Sequence, residues 1–386
     1  MSTSQELLAR VDELLPAIAA SADAGDRDGQ LPDAIIAALT DAGLFGLLAP
    51  KEYGGHELDF ETFSRVVQKI SAAQPSAGWV GAFLMGASWR LLILGREGQK
   101  QVFGDKGFVL GAGAAAPITG VTKVDGGYRL SGRTGWNSGS SHAEWFQVNG
   151  ILNAAAGAPQ VLMFVVNREA VQIVDSWHIL GMKATASRDL VFDDVFVPDH
   201  MAALFGPALE GNSAGHRLHA NPMYHIPFLP FAMLEVLPVV VGMHRGAANA
   251  LRDRVQGRMG TLSGARAAER APAQIRMAQG LARAQMAEQM LAAMVAEISA
   301  GGSHAADPKH RAEIKLRASM VTTFCLDSVN EMARSVGGDS FRDEAPFQRF
   351  FRDINTLARH AFLDPDTAAE SYGRLELGLP VNDPMI

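Results

Sequence analysis

Apolar positions recur with a helical period through roughly the first 105 residues. In SQELLARVDELLPAIAASADAGD they fall at Leu7, Leu8, Val11, Leu14, Leu15 and Ile18. The stretch LPDAIIAALTDAGLFGLL reads as a second helix, with Pro32 near its start and Gly43 near its end. PKEYGGHELDF reads as a loop punctuated by Gly54-Gly55. Two more helices are expected in FETFSRVVQKISAAQPSAGWVGAFLMGASWRLLILG, divided near Pro75.

The pattern changes at about Gly107 and stays changed to about Asp199. Segments become short, β-branched and Gly-punctuated, as in WFQVNGIL, QVLMFVV, VQIV and LVFDDVFV. The DGG between TKV and YRL is a hairpin signal. This part reads as an antiparallel barrel or sandwich. From about Leu229 the helical period returns, in the Ala/Met-rich run up to MVAEIS and again in HRAEIKLRASMVTTFCLDSVNEMARSV. The expected fold class is therefore α+β. It has an N-terminal helical domain (1–106), a central antiparallel β domain (107–205) and a C-terminal helical bundle (206–386). Broad apolar faces in the last part suit a subunit interface.

Composition narrows the function. Of 386 residues, 48% are hydrophobic, which is ample for a large core. Charged residues make up 19%, the net charge is −7, and no Lys/Arg-rich tract stands out. Nucleic acid and anionic membrane are therefore not expected partners. The single cysteine, Cys325, lies on a predicted apolar helix face and reads as a core thiol. The N-terminus reads as an amphipathic helix rather than a signal peptide. Leu229–Met243 is the longest candidate span, and Pro230, Glu235 and Pro238 are expected to break it. A cytoplasmic location follows as the expectation. No metal site is expected: His216 and His219 are the nearest histidine pair, with no third ligand in view. GTLSGARA (Gly260–Ala267) reads as a plain loop, not a phosphate-binding one.

One motif invites a different reading. In VLGAGAAAPITG, Gly111, Gly113 and Ala116 match the spacing of a dinucleotide-binding turn. That turn works only if a helix follows and offers its N-terminus to a pyrophosphate. Here Pro117 and a β-branched alternation follow instead, so no nicotinamide fingerprint is expected.

Other segments carry a resemblance. GLFGLLAPKEYGG (Gly43–Gly55), GGYRLSGRTGWNSGSSHAEW (Gly126–Trp145), DSWHILGMKATASRDLVFDDVFVP (Asp175–Pro198), SVGGDS and QRFFRD resemble, in this order, the acyl-CoA dehydrogenase superfamily. The usual Y-E-G-T-type base motif is missing from the chain's end. Arg352, Asp353, His360, Ala361, Tyr372 and Gly373 instead resemble the R-D…H-A…Y-G setting of two-component flavin-dependent monooxygenases. PSAGWVGAFLMGASW (Pro75–Trp89) resembles their S-x-G-W segment, although Gly86-Ala87-Ser88 stands where some members place a histidine.

The resemblance implies an oxygenase component. It would take reduced FAD or FMN from a separate NAD(P)H-dependent flavin reductase, form a C4a-hydroperoxide with O2, and hydroxylate a phenol- or indole-like aromatic. A homotetramer goes with the family. The alternative on the same scaffold is an acyl-CoA dehydrogenase or nitroalkane-oxidase-like enzyme with bound FAD. His360 is the implied catalytic base, since imidazole titrates near neutrality; its bland alternative is a surface histidine paired with Asp364. Ser138 is the implied hydroxyl beside flavin N5. Cofactor contacts are implied for Trp136, Gly139, Thr185, Ser187 and Arg188, and for Gly337 and Gly338 at the nucleotide tail. Trp79, Trp89, Tyr224, His225 and Phe228 are substrate candidates, each with packing as its competing explanation. His142 reads as structural.

Overall fold

The computed structural model describes residues 2–153, 158–257 and 266–386. Residues 260–265 of the GTLSGARA stretch lie outside the described residues. Six helices come first: α1 (Ser4–Ala20), α2 (Ala22–Asp28), α3 (Asp33–Asp41), α4 (Phe60–Ala73), α5 (Pro75–Arg90) and α6 (Arg96–Phe103). Their limits follow local signals. Thr3 and Glu6 form a capping box at α1, Asp59 caps α4, and Pro75 occupies the first turn of α5. Helix α5 is buried on almost every side, with only Phe83 left part-exposed.

Eight strands follow: β1 (Gly111–Ile118), β2 (Gly120–Val124), β3 (Gly127–Asn137), β4 (Trp145–Leu152), β5 (Gln160–Asn167), β6 (Gln172–Val174), β7 (Arg188–Pro198) and β8 (Ala202–Leu204). They form two four-stranded sheets, ordered β1-β4-β5-β8 and β2-β3-β7-β6. Five of the described pairings are antiparallel and the β1–β4 pairing is parallel. The DGG signal is the β2–β3 hairpin, where Val124 pairs with Gly127 and Gly126 takes φ +72°.

The VLGAGAAAPITG stretch contains strand β1 and ends on the first residue of β2, with no helix after it. Its glycine has a packing reason. A Cβ on Gly113 would stand 2.4 Å from the Gln147 carbonyl oxygen on β4. Gly113→Val is therefore expected to destabilise the protein by about 1–3 kcal/mol through overpacking. Thermal unfolding checks this, and an unchanged midpoint would contradict it.

The chain closes with a short turn of helix, α7 (Gly206–Leu209), and five longer helices. These are α8 (Phe228–Gly257), α9 (Ala271–Ala300), α10 (Pro308–Val336), α11 (Pro346–Leu357) and α12 (Pro365–Glu376). Helix α8 corrects one expectation. Pro230, Glu235 and Pro238 do not break it; it runs unbroken for 30 residues. Pro230 sits in the first turn, where no intrahelical donor is needed. Pro238 is buried inside the helix, and α8 as a whole packs against α4, α5, α9, α10 and α11. By length and composition α8 could cross a membrane, yet its apolar stretch is buried inside the protein. Cys325 is fully buried in α10 and burial pushes its thiol pKa up, which accords with a core thiol.

One ion pair is sealed within this core. Arg90 of α5 and Glu235 of α8 are in direct contact, with side chains 5% and 3% exposed. Arg90 also donates to Gln147 on β4 at 2.9 Å and to the Phe83 carbonyl at 2.9 Å. The guanidinium thus ties α5, α8 and the β sandwich together. Burial pushes Glu235 up to about 7 despite the facing Arg90.

Candidate active site

Two turns of the β sandwich meet the N-terminal half of α5. The first turn begins at the end of β3, which carries Trp136, and continues through Ser138 and Gly139. The second, Gly181–Ser187, precedes β7. They are stitched together by Gly139 N–H donating to Thr185 O at 2.8 Å and Ser140 Oγ donating to Ala186 O at 2.7 Å. Five described non-glycine residues have positive φ, and three lie here: Trp136 at +65°, Met182 at +56° and Ala186 at +44°. Strain of this kind persists only where surrounding contacts enforce it, and it gathers at functional sites.

The enforcing contact for the second turn comes from α11. Buried Asp353 accepts the Met182 N–H at 2.7 Å and the Arg352 Nε–H at 3.1 Å. Burial pushes its carboxyl up to about 6, against the pull of Arg352. Gly181 lets the turn dock, since a Cβ there would stand 2.5 Å from the Arg352 carbonyl oxygen.

Within this frame the polar groups form one line. Trp79 Nε1 donates to Ser138 Oγ at 2.8 Å. Ser138 Oγ lies 2.8 Å from Ser187 Oγ, which lies 2.7 Å from Thr185 Oγ1. Thr185 Oγ1 donates to Met182 O at 2.9 Å, a carbonyl that also accepts from Trp177 Nε1. All three hydroxyl residues are buried, so the competing picture of Thr185 and Ser187 as exposed turn residues does not hold.

His360 stands on the other side of Trp79, its ring 5.4 Å from the indole and edge-on to it. It caps the short turn after α11, where Phe362 N–H donates to Nδ1 at 3.3 Å. That contact keeps the ring proton on Nε2 at rest. Packing against Trp79 and Phe362 leaves His360 half-buried, and this burial pulls its pKa down to about 4. Asp364 is not its partner: that carboxylate caps α12 by accepting from Thr367 N–H at 2.7 Å. Phe83, 4.6 Å from Trp79, extends the aromatic wall.

The remaining candidates divide. Trp136 is 67% exposed and edge-on to Trp177 at 5.1 Å, so it offers a free aromatic face at the rim. Arg188 donates to Ser141 and Gln30 and faces Asp175, which anchors the start of β7 to α2's end. Gly337 ends α10 at φ +75°, and a Cβ on Gly338 would meet nothing within 4 Å. His142 packs with Nδ1 3.5 Å from Asp33.

The other substrate candidates bond to protein. Trp89 follows Trp79 by ten residues, about 15 Å along the helix and on another face. It stacks on Phe231 at 3.8 Å and donates to Met223 O. Tyr224 donates to Leu48 O, His225 bonds to His219 O, and Phe228 packs on Phe205. The structure does not gather these four around Trp79, Ser138 and His360. His216 bonds to Trp89 O, and His219 to Gln99 and Glu52. Sequence reading missed Phe83, Trp177 and the Met182–Asp353 latch. Only Asp353 carried a signal, in the R-D pair.

The chain's helical ends match two family descriptions. Residues 3–106 match "Acyl-CoA dehydrogenase, N-terminal domain" and residues 236–365 match "Acyl-CoA dehydrogenase, C-terminal domain". The chain belongs to the acyl-CoA dehydrogenase superfamily, in its branch of two-component flavin-dependent monooxygenases. It is 47% identical over 384 residues to a pigment production hydroxylase of Rhodococcus sp. (strain ATCC 21145), covering 100% of this chain and 99% of that one. It is 31% identical to the flavin-dependent monooxygenase oxygenase subunit HsaA of Rhodococcus jostii (strain RHA1), covering 98% and 100%. XiaF from Streptomyces sp., solved in complex with FADH2 and glycerol, superposes with a TM-score of 0.90 at 26% identity. That match covers 99% of this chain and 98% of that one.

Proposed function

We propose that this chain is the oxygenase component that hydroxylates a phenol- or indole-like aromatic, using reduced flavin from a separate reductase. The observation that carries the reading is the Trp79-centred site, with a desolvated imidazole on one side and a buried hydroxyl line on the other. The residues fit a flat, polar-edged ring. Trp136 presents an open aromatic face under backbone strain, and Ser138 keeps a lone pair that no donor among the described residues fills.

When bound, reduced flavin would supply the two electrons that activate O2, one atom of which is transferred to the substrate and the other released as water. The chain's own residues supply position and proton handling. Trp79 and Phe83 wall the aromatic substrate. His360 acts at Nε2, the ring nitrogen with no protein hydrogen bond among the described residues. The Nε2–H tautomer donates to an oxygen on the substrate. Taking a phenolic or indole proton needs the other tautomer and the loss of the Phe362 contact, a cost of about 1 kcal/mol. A ring with a pKa near 4 does not preform a phenolate. It withdraws the proton as the ring's electrons are used, which is general-base behaviour within the transition state.

A dehydrogenase would need a carboxylate beside the reacting carbon. Among the described residues, the side chains that hydrogen-bond to or ring-pack on Trp79 and Ser138 include His360, Phe83 and Ser187, none acidic. A homotetramer in the cytoplasm goes with the reading. Its support is exposed Ile275 and Met286 on α9 and Met320 on α10, apolar groups of the kind a subunit interface covers. The test is product analysis with a generic flavin reductase, FAD or FMN, and a panel of phenols, indoles and acyl thioesters. Hydroxylated aromatic product is expected. Enoyl product from a thioester, with no aromatic turnover, would overturn the proposal.

A further inference from the structure

The hydroxyl line beside Trp79 has only one possible direction. A carbonyl oxygen can only accept, so Thr185 spends its single proton on Met182 O. Thr185 must then accept from Ser187, and Ser187 from Ser138. At the opposite end the Trp79 indole N–H can only donate, so Ser138 accepts there. Both ends impose the same order: Trp79 to Ser138 to Ser187 to Thr185 to Met182 O. The Asp353 contact to Met182 N–H pins the far end. Ser138 therefore has no proton to offer a ligand. Its one remaining lone pair can only accept.

We propose that Ser187 and Trp79 are positioning residues that make Ser138 an acceptor-only group, and that this sets the protein's preference for reduced over oxidised flavin. The inference rests on the reading above that Ser138 meets the flavin at N5. Reduced flavin carries a proton on N5 and can donate to Ser138. Oxidised flavin has a bare N5 lone pair there, which faces another lone pair. Oxidised flavin is then held more weakly than fresh reduced flavin.

Dissociation constants for FAD and for photoreduced FAD, measured anaerobically, test this. The wild type is expected to favour the reduced form. Ser187→Ala frees the Ser138 proton to turn to N5. It should narrow the oxidised-to-reduced ratio by about fivefold or more, the worth of one hydrogen bond, mainly by tightening the oxidised form. Ser187→Thr should restore the wild-type ratio. Thr185→Val removes the next acceptor and should act in the same direction, which keeps the test open if Ser187→Ala folds poorly. A merely structural role would weaken both forms alike; that outcome overturns the proposal, as does an unchanged ratio in both variants while Ser138→Ala alters it. If Ser138→Ala leaves the ratio unchanged, the placement of Ser138 at N5 itself fails.

Discussion

Replacing His360 by alanine is expected to lower hydroxylation by about 100-fold or more, the usual contribution of a positioned acid–base group. The fold should survive, because the imidazole's one described hydrogen bond is a 3.3 Å contact within its own turn. Product formation per unit time, measured with saturating reduced flavin, reads the effect. Unchanged turnover would remove His360 from the chemistry. The ring's protonation supplies an independent arm. Its pKa in the folded protein lies near 4, below the ordinary value of 6.5. Between those values the folded state binds fewer protons than the unfolded one, so this group costs stability as pH falls through 6.5 towards 4. The competent neutral ring is therefore kept across the neutral range. Histidine 15N shifts, assigned with His360→Ala, should show a neutral ring from pH 8 down to about 5.5. A titration centred near 6.5 would mean that water reaches the ring.

Glu235→Leu carries the largest expected loss of stability. It leaves the Arg90 guanidinium buried without its counter-charge, and breaking such a pair costs about 3–5 kcal/mol. Arg90 would retain Gln147 and the Phe83 carbonyl, which satisfy donors but not charge. Arg90→Leu combined with Glu235→Leu should recover a good part of the loss, because no orphan charge remains. Urea unfolding of the two variants checks this, and a double variant no more stable than the single one would contradict it.

Local signals were legible in the sequence. Pro75, the Asp125-Gly126 hairpin turn and the helical period mark their own positions, because each acts within a few residues. The family motifs brought Ser138, Thr185, Ser187 and His360 into view. What stayed hidden is non-local. The Trp79–Ser138 bond spans 59 positions and the Met182–Asp353 bond 171. The parallel β1–β4 pairing has no sequence mark of its own. Positive φ at Trp136, Met182 and Ala186 is invisible where glycine is the usual sign. The continuity of α8 through Pro238 depends on the helices around it. Trp89, Tyr224, His225 and Phe228 each have a protein partner in the structure, and sequence cannot separate such anchors from pocket walls because aromatic residues serve as both.

The central claim is that this site transfers oxygen from O2 to an aromatic ring. A single turnover under 18O2, with photoreduced flavin and no reductase, tests it directly. A hydroxylated phenol or indole carrying one 18O atom is expected from the wild type and should be nearly absent with His360→Ala. Product oxygen drawn from water, or equal product from the His360→Ala variant, would contradict it.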